Sequence, residues 1–442
     1  MLIVLDSLRA DRIFGKQKTT NSPTIDSLIK KGVYFSNAIT TSQYTAQVMQ
    51  SIFIARFPLG DIATKHYTEN ATPSLLSLLK SHGYNTAAIV QEDVFLQGLK
   101  ETFDNEDVSY KSEENIYNGL GERILKKIDS LSSPWFYYIH PEDLHTPCVV
   151  PTELGHLKLI ERYDRNIFEI DSLIGRILEK INLDETLIVL TSDHGEYISP
   201  VQGSLKESES VKVSVKNLIK KLIPRTILTT LHYKKQKLIG KIHATRTDKP
   251  HEKRILAYSR NLQDKALFDD IIRVPLLFAG YGVSHISPVN QQVSNIDIFP
   301  TILELLGISN TIQNIHGRSL VPLLKGKELG SVPIYMTSLA VIKELHLTIK
   351  TDDFSGLVGI RTENFKYFRS VNDPKKNVHL YDLRSDPLED KNIANDRPDI
   401  VKEMELSLGK IKNDILPSSN EEELDPEQIK TIEESLKKLG YM

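Results

Sequence analysis

Thr191-Ser192-Asp193-His194-Gly195-Glu196 sets a carboxylate and an imidazole side by side just after an apolar run, Thr186 to Leu190. Neighbouring Asp and His in a tight turn can both reach one divalent ion, and the glycine lets the backbone turn without a side-chain clash. A helix N-cap aspartate with a surface histidine beside it is the plainer use of the same pair. Asp6 follows a second apolar run, Leu2 to Leu5. A buried carboxylate there needs a metal, an arginine or backbone donors, because an unpaired buried charge is costly. Arg9 and Asp11 offer the alternative of a local ion-pair turn. His145 lies beyond a third run, Trp135 to Ile139.

These runs, together with Thr86 to Val90 and Val274 to Phe278, alternate with stretches of helical spacing: Pro23 to Lys31, Ser74 to His82, Gly119 to Leu131, Asp164 to Ile181 and Asp297 to Leu306. Ile25, Leu28 and Ile29 follow the i, i+3, i+4 spacing of a core-facing helix. The alternation predicts an α/β fold, a large mostly parallel or mixed sheet flanked by helices. Ligands of open α/β sheets gather beyond the carboxyl ends of the strands, which is where Asp6, His145, Asp193 and His194 fall. A chain of 442 residues exceeds what one core usually serves. A catalytic domain is expected over 1–326 and a smaller C-terminal antiparallel α+β subdomain over 327–442, built on runs such as Gly356 to Arg361 and Lys366 to Phe368. A final helix through Leu436 is expected after the acidic run Glu421 to Asp425.

Hydrophobic residues at 40% and charged residues at 26% describe an ordinary globular chain and exclude disordered or collagen-like classes. A net charge of −3 gives no whole-chain basic field of the kind nucleic-acid binders use, so no nucleic-acid partner is expected. The stretch 199–260 breaks the pattern and is basic, with Lys206, Lys212, Lys216, Lys220, Lys221, Arg225, Lys234, Lys235, Lys237 and Lys241. It reads as an insertion, either a solvated excursion capping the site or a basic surface that meets an anionic substrate or a membrane surface. Cys148 is the only cysteine, so neither an intrachain disulfide nor a thiolate zinc cluster can form. The N-terminal apolar run is too short for a secretory signal, and no stretch approaches the roughly 20 apolar residues of a membrane span. A soluble cytoplasmic protein is expected; oligomeric state is not written in the chain.

Several stretches, in order, resemble the sulfatase family of the alkaline phosphatase superfamily. VLDSLRAD resembles its first metal-binding strand, SPTIDSLIKKGVYFSNAITTS its next helix and the approach to the nucleophile, HTP at His145 to Pro147 its ester-contacting histidine, and LTSDHGE its metal-binding turn. IIRVPLL, NIDIFPTILELLGI and HGRSLVPLL follow as they do in sulfatases. HLYDLRSDPLEDKNIA resembles the C-terminal subdomain and LKKLGYM its last helix.

Sulfatases carry Cys or Ser in C-x-P-x-R, converted to formylglycine. Aligned by its flanks, this chain has Thr45 there, with Gln47 at the proline and Met49 at the arginine. Threonine cannot become formylglycine, so none is expected, but it is the nucleophile of phosphodiesterase and phosphoalcohol-transferase relatives. The family's second Asp is also replaced, by Ser7. The resemblance implies a metal set of Asp6, Thr45, Asp193 and His194, and an ion that makes the hydroxyl reactive. Two carboxylates, an alcohol and an imidazole favour Mn²⁺ or Ca²⁺, with Mg²⁺ or Zn²⁺ as further options. His145 would face an anionic ester, whether small molecule, glycan or lipid head group. Lys265 falls near the family's substrate-binding Lys or His, with Gln263 and His140 as rivals. The implied activity is hydrolysis of phosphate-type or sulfate esters through a covalent intermediate on Thr45. The alternatives are a phosphoalcohol transferase acting on a glycan or lipid, and a non-catalytic sulfatase-fold binding protein.

Overall fold

The computed structural model describes residues 1–58, 73–92, 102–111, 113–198, 248–257, 267–286, 288–309, 312, 315–338 and 356–415. β1 (Leu2–Val4) is buried throughout because its side chains alternate between two cores. Leu2 and Val4 enter one and Ile3 the other, so an uninterrupted apolar run is what this central strand requires. Around it lie β2 (Val33–Ile39), β3 (Asn85–Gln91), β4 (Ser109–Tyr110), β5 (Trp135–His140), β6 (Leu187–Thr191), β7 (Arg273–Gly280) and β8 (Val293–Ser294). The sheet is eight-stranded, in the order β4-β3-β5-β1-β6-β7-β2-β8. All pairings are parallel except those of β7, which runs against both β6 and β2.

Helices cover both faces. Pro23–Lys31 (α2, after the short α1, Ala10–Ile13) sends Ile25 and Leu28 into one core, as their spacing predicts. α3 (Thr45–Ile54) buries Val48, Met49, Ile52 and Phe53 in the other. α4 (Leu75–Ser81), α5 (Leu120–Ser130) and α6 (Leu159–Leu178) complete the crossovers. α6 starts five residues before its expected Asp164, because Glu161 accepts from the Lys158 N–H and caps an earlier turn. β2 was not among the expected strands: VYFSNAI lacks strict alternation because five of its seven residues are buried.

A four-stranded antiparallel sheet, β9 (Ile334–Thr337), β10 (Leu357–Arg361), β11 (Phe365–Ser370) and β12 (His379–Asp382), follows, backed by a long helix, Pro398–Ile415. The expected helix through Leu436 and the basic stretch 199–247 lie outside the described residues. Two buried features join the sheets. Phe268, Ile271 and Ile272 pack with Met336, Phe368 and Tyr381. Beside them, the fully buried Lys366 ammonium holds both Asp269 and Glu389, the latter at 2.6 Å, while Arg361 reaches Asp269 at 3.0 Å. Burial pushes the Asp269 carboxyl up, but Arg361, Lys366 and Arg273 outweigh it and hold the group far below its ordinary value. Asp269 opens the turn that leads into β7, so the second sheet braces the first where that strand begins. Lys366→Met should cost about 3–5 kcal/mol, since it removes the ammonium paired with the buried Glu389 and leaves Asp269 to its arginines; urea denaturation checks this, and an unchanged midpoint contradicts it.

Candidate functional site

Three adjacent parallel strands deliver the central residues. Ile3 of β1 lies opposite Ile139 of β5 and Leu190 of β6, so the residues beyond that row leave the sheet at the same end. They are Asp6, His140, and Asp193 with His194, all buried. Among the described residues Asp6, His140 and Asp193 offer one ligand atom each, all within 4.8 Å of one another.

Each acidic side chain is held by one oxygen and presents the other. Asp193 Oδ1 accepts from the Ser7 N–H at 3.1 Å and the His194 N–H at 2.7 Å; Asp6 Oδ1 accepts from the Ser7 hydroxyl at 2.6 Å. Ser7 does this from a left-handed backbone (φ 63°), a conformation unfavourable for a residue with a Cβ and fixed here by its bonds on both sides. The Oδ2 atoms of Asp6 and Asp193 lie 3.8 and 4.0 Å from His140 Nε2. Asp6 is therefore not part of a local ion pair: Arg9 turns to Asp11 and Asp270, each at 2.8 Å.

Thr45 arrives from the other side. The segment after β2 is pinned by the Thr40 N–H on Ile272 O and by Asn295 on the Thr40 hydroxyl. The Ser42 hydroxyl donates to Gln47 Oε1 at 2.6 Å and accepts from the Tyr44 N–H, closing the turn where sulfatases carry proline. Thr45 opens α3, yet its hydroxyl does not cap the helix; it donates to Asp193 Oδ2 at 2.7 Å. His194 Nδ1 donates to Gly195 O at 2.8 Å, which leaves the Nε2 lone pair facing Thr45 Oγ1 and Asp193 Oδ2, each 3.5 Å away. Asp6, Thr45, Asp193 and His194, remote in sequence, are thus brought together.

Burial and the Asp193 charge push the Asp6 carboxyl up to about 6. Burial also pushes Asp193 up, but the two histidines, the Thr45 hydroxyl and the Ser7 N–H overcome it and leave Asp193 below its usual range. Burial alone would depress His194; Asp193 and Asp6 outweigh it and raise the imidazole. The site thus stores excess negative charge that a cation would neutralise.

His145 is half-buried in the turn after β5, where the Thr146 hydroxyl donates to Glu196 Oε2 at 2.9 Å and ties that turn to the Asp193–Glu196 segment. Lys265 and Gln263 lie outside the described residues. The sequence marks His140 only as a rival for substrate binding; its place at the carboxyl end of β5, beside β1, is the signal for a role with the two aspartates. Ser7 is marked in the sequence only as the replacement for the family's second Asp and Glu196 only as the end of the Thr191–Glu196 motif; their contacts show that both orient the site.

A mostly parallel α/β sheet with carboxylates and imidazoles gathered beyond its carboxyl ends, followed by a small antiparallel sheet, has the alkaline phosphatase-like architecture. The chain belongs to the sulfatase family: the sulfatase profile matches residues 1–308, and the N-sulphoglucosamine sulphohydrolase C-terminal profile matches residues 260–414. Arylsulfatase K of Gallus gallus is 30% identical over 179 residues, 40% of this chain and 32% of that protein. Choline-sulfatase of Rhizobium meliloti (strain 1021) is 34% identical over 134 residues, 29% of this chain and 22% of that protein. The matched stretches span less than half the length of these relatives. Among solved structures, the phosphonate monoester hydrolase of Agrobacterium radiobacter superposes with a TM-score of 0.62 at 16% identity, covering 94% of this chain and 95% of that one. A 2-O GAG sulfatase superposes with a TM-score of 0.62 at 16% identity, covering 97% and 95%.

The Asp193–Glu196 turn depends on close backbone packing. A Cβ on Gly195 would stand 2.1 Å from Asp270 O, and the Gly195 N–H donates to Ile271 O. Gly195→Ala should therefore cost about 1–3 kcal/mol, measured by chemical denaturation; wild-type stability would show that the turn yields freely.

Proposed function

We propose that this chain is a divalent-metal-dependent hydrolase of anionic phosphate-type or sulfate esters, working through a covalent intermediate on Thr45. The observation that carries the proposal is the 2.7 Å hydrogen bond from the Thr45 hydroxyl to Asp193 Oδ2, inside the pocket where Asp6 and His194 also meet. The donor set fits a cation: two oriented carboxylate oxygens, a hydroxyl and an imidazole with its lone pair free. Asp6, Thr45, Asp193 and His194 would hold the ion, which would favour the alkoxide form of the hydroxyl and neutralise charge on the transferring group.

The chain's own groups do the rest. Asp193 Oδ2 accepts the Thr45 hydroxyl hydrogen bond and aims the oxygen. Thr45 Oγ1 forms a bond to the phosphorus or sulfur as the bond to the ester oxygen breaks on the opposite side. His145, on its turn tied to Glu196, gives a proton to the leaving oxygen. Water then attacks the same centre and gives its proton to His145, restoring the acid, as the bond to Thr45 breaks and the threonine oxygen takes up from solvent the proton it released there when it attacked. Lys265 and Gln263 are assigned to the substrate's anionic oxygens. The names of the relatives, arylsulfatase K, choline-sulfatase and phosphonate monoester hydrolase, support an ester centred on sulfur or phosphorus. Threonine at position 45 favours the phosphate type, because formylglycine cannot form there.

Thr45→Ala should lower turnover of aryl phosphate, phosphonate and sulfate esters by at least about 10³-fold, and a quenched wild-type reaction should carry a phosphoryl or sulfuryl group on Thr45 by peptide mass spectrometry. Wild-type turnover in the alanine variant would remove the nucleophile.

Protons should compete with the ion. The Asp6 carboxyl, pushed up to about 6, must be ionised to bind, so its proton competes with the ion increasingly as the pH falls through that value. His194, raised above its ordinary value, adds a second competing proton in the same direction. Mn²⁺ affinity by EPR titration should drop at least about tenfold per pH unit below about pH 6; a flat profile from about pH 5 to about pH 8 would contradict it.

A further inference from the structure

Tyr138 and Met49 stand behind His140, away from the two aspartates. Tyr138 is fully buried, its ring 5.4 Å from that of Phe53 and 6.1 Å from that of Phe103. Its hydroxyl lies 2.5 Å from His140 Nδ1 and 3.2 Å from Met49 Sδ. A thioether can only accept, whereas a phenol hydroxyl can donate and accept at once. When the Tyr138 proton points at Met49 Sδ, the Tyr138 oxygen is open to a proton from His140 Nδ1. The imidazole then carries its hydrogen on Nδ1, and Nε2 keeps a lone pair. Among the described residues that buried Nε2 has no hydrogen-bond partner, and Asp6 Oδ2 and Asp193 Oδ2 lie 3.8 and 4.0 Å from it.

A buried nitrogen facing two carboxylates and bonded to nothing is expensive unless something between them takes its lone pair. The arrangement behind it matches the way metal-bound imidazoles are oriented, with the remote N–H given to an acceptor. It also coincides with two departures from the family pattern. Ser7 stands where sulfatases have a second aspartate, removing one anionic ligand, and Met49 stands where they have arginine. An arginine there could donate but never accept, so it could not receive the Tyr138 proton in this orientation.

We infer that His140 is a further ligand of the divalent ion, set in its Nδ1–H form by the Tyr138–Met49 pair and compensating for the carboxylate lost at position 7. With His194 this gives two imidazoles alongside two carboxylates and Thr45. Such a set suits Fe²⁺ or Zn²⁺, admits Mn²⁺ through its carboxylates, and is poor for Ca²⁺, which takes six to eight oxygens. This revises the ion expected from the sequence by removing Ca²⁺. The inference rests on the proposed metal site, but the two fail differently.

The test is pulsed EPR on the full chain loaded with Mn²⁺, with and without ¹⁵N-histidine labelling, which counts coordinated imidazoles without reference to turnover. Two are expected in the wild type and one in His140→Gln. Tyr138→Phe should keep two and bind Mn²⁺ about 10- to 100-fold more weakly, with circular dichroism confirming that it folds. One imidazole in the wild type would overturn the role of His140 and leave the rest of the site standing. That count needs no variant to fold. No coordinated imidazole, or no bound Mn²⁺, would overturn both this inference and the metal site beneath it. Competition by Ca²⁺ at concentrations comparable to Mn²⁺ would contradict the nitrogen-rich set; displacement only at about 100-fold excess or more agrees with it.

Discussion

Two aspartates are forced together at the ends of neighbouring strands, and the site is organised around their repulsion. Asp6 and Asp193 leave β1 and β6, which pair in parallel, so the sheet itself holds the carboxylates close in a buried place. Water cannot screen them there, and like charges in a low-dielectric setting are costly. Everything nearby addresses that cost: Ser7 donates to both residues, the Thr45 hydroxyl donates to Asp193, and His194 and His140 stand within 4.0 Å. In the proposed function a cation among them would both relieve the repulsion and make Thr45 reactive.

That arrangement persists only if the strand ends cannot drift. β7, the one antiparallel strand, presents its amino-terminal end beside the carboxyl ends of β6 and β2, and the turn before it contacts the His194–Gly195 backbone. The same turn is gripped from outside by Lys366 and Arg361 of the second sheet through Asp269. The C-terminal sheet is therefore part of the site's support.

Much of this was legible from residues alone, because buried parallel strands must be apolar and polar residues that end them stand out. Asp6, Asp193 and His194 each interrupt or follow such a run, and the structure gathers them with Thr45. Helix α2 matches its expected span because proline and the Lys30-Lys31 pair mark its ends. β2 escaped notice because its burial on both faces hides the period of two. The role of His140 was hidden for a different reason: whether a strand-end histidine serves a metal or a substrate depends on which strand lies beside it and on what sits behind its ring. Tyr138 and Met49 are ordinary core residues until the topology puts them there.

The most direct measurement is anomalous diffraction at the Mn edge from crystals of the full chain grown with Mn²⁺. One peak is predicted among Asp6 Oδ2, Asp193 Oδ2, His194 Nε2 and His140 Nε2, with the Thr45 hydroxyl turned toward it. A peak elsewhere, or a Thr45 hydroxyl directed away from the two aspartates, would contradict the account.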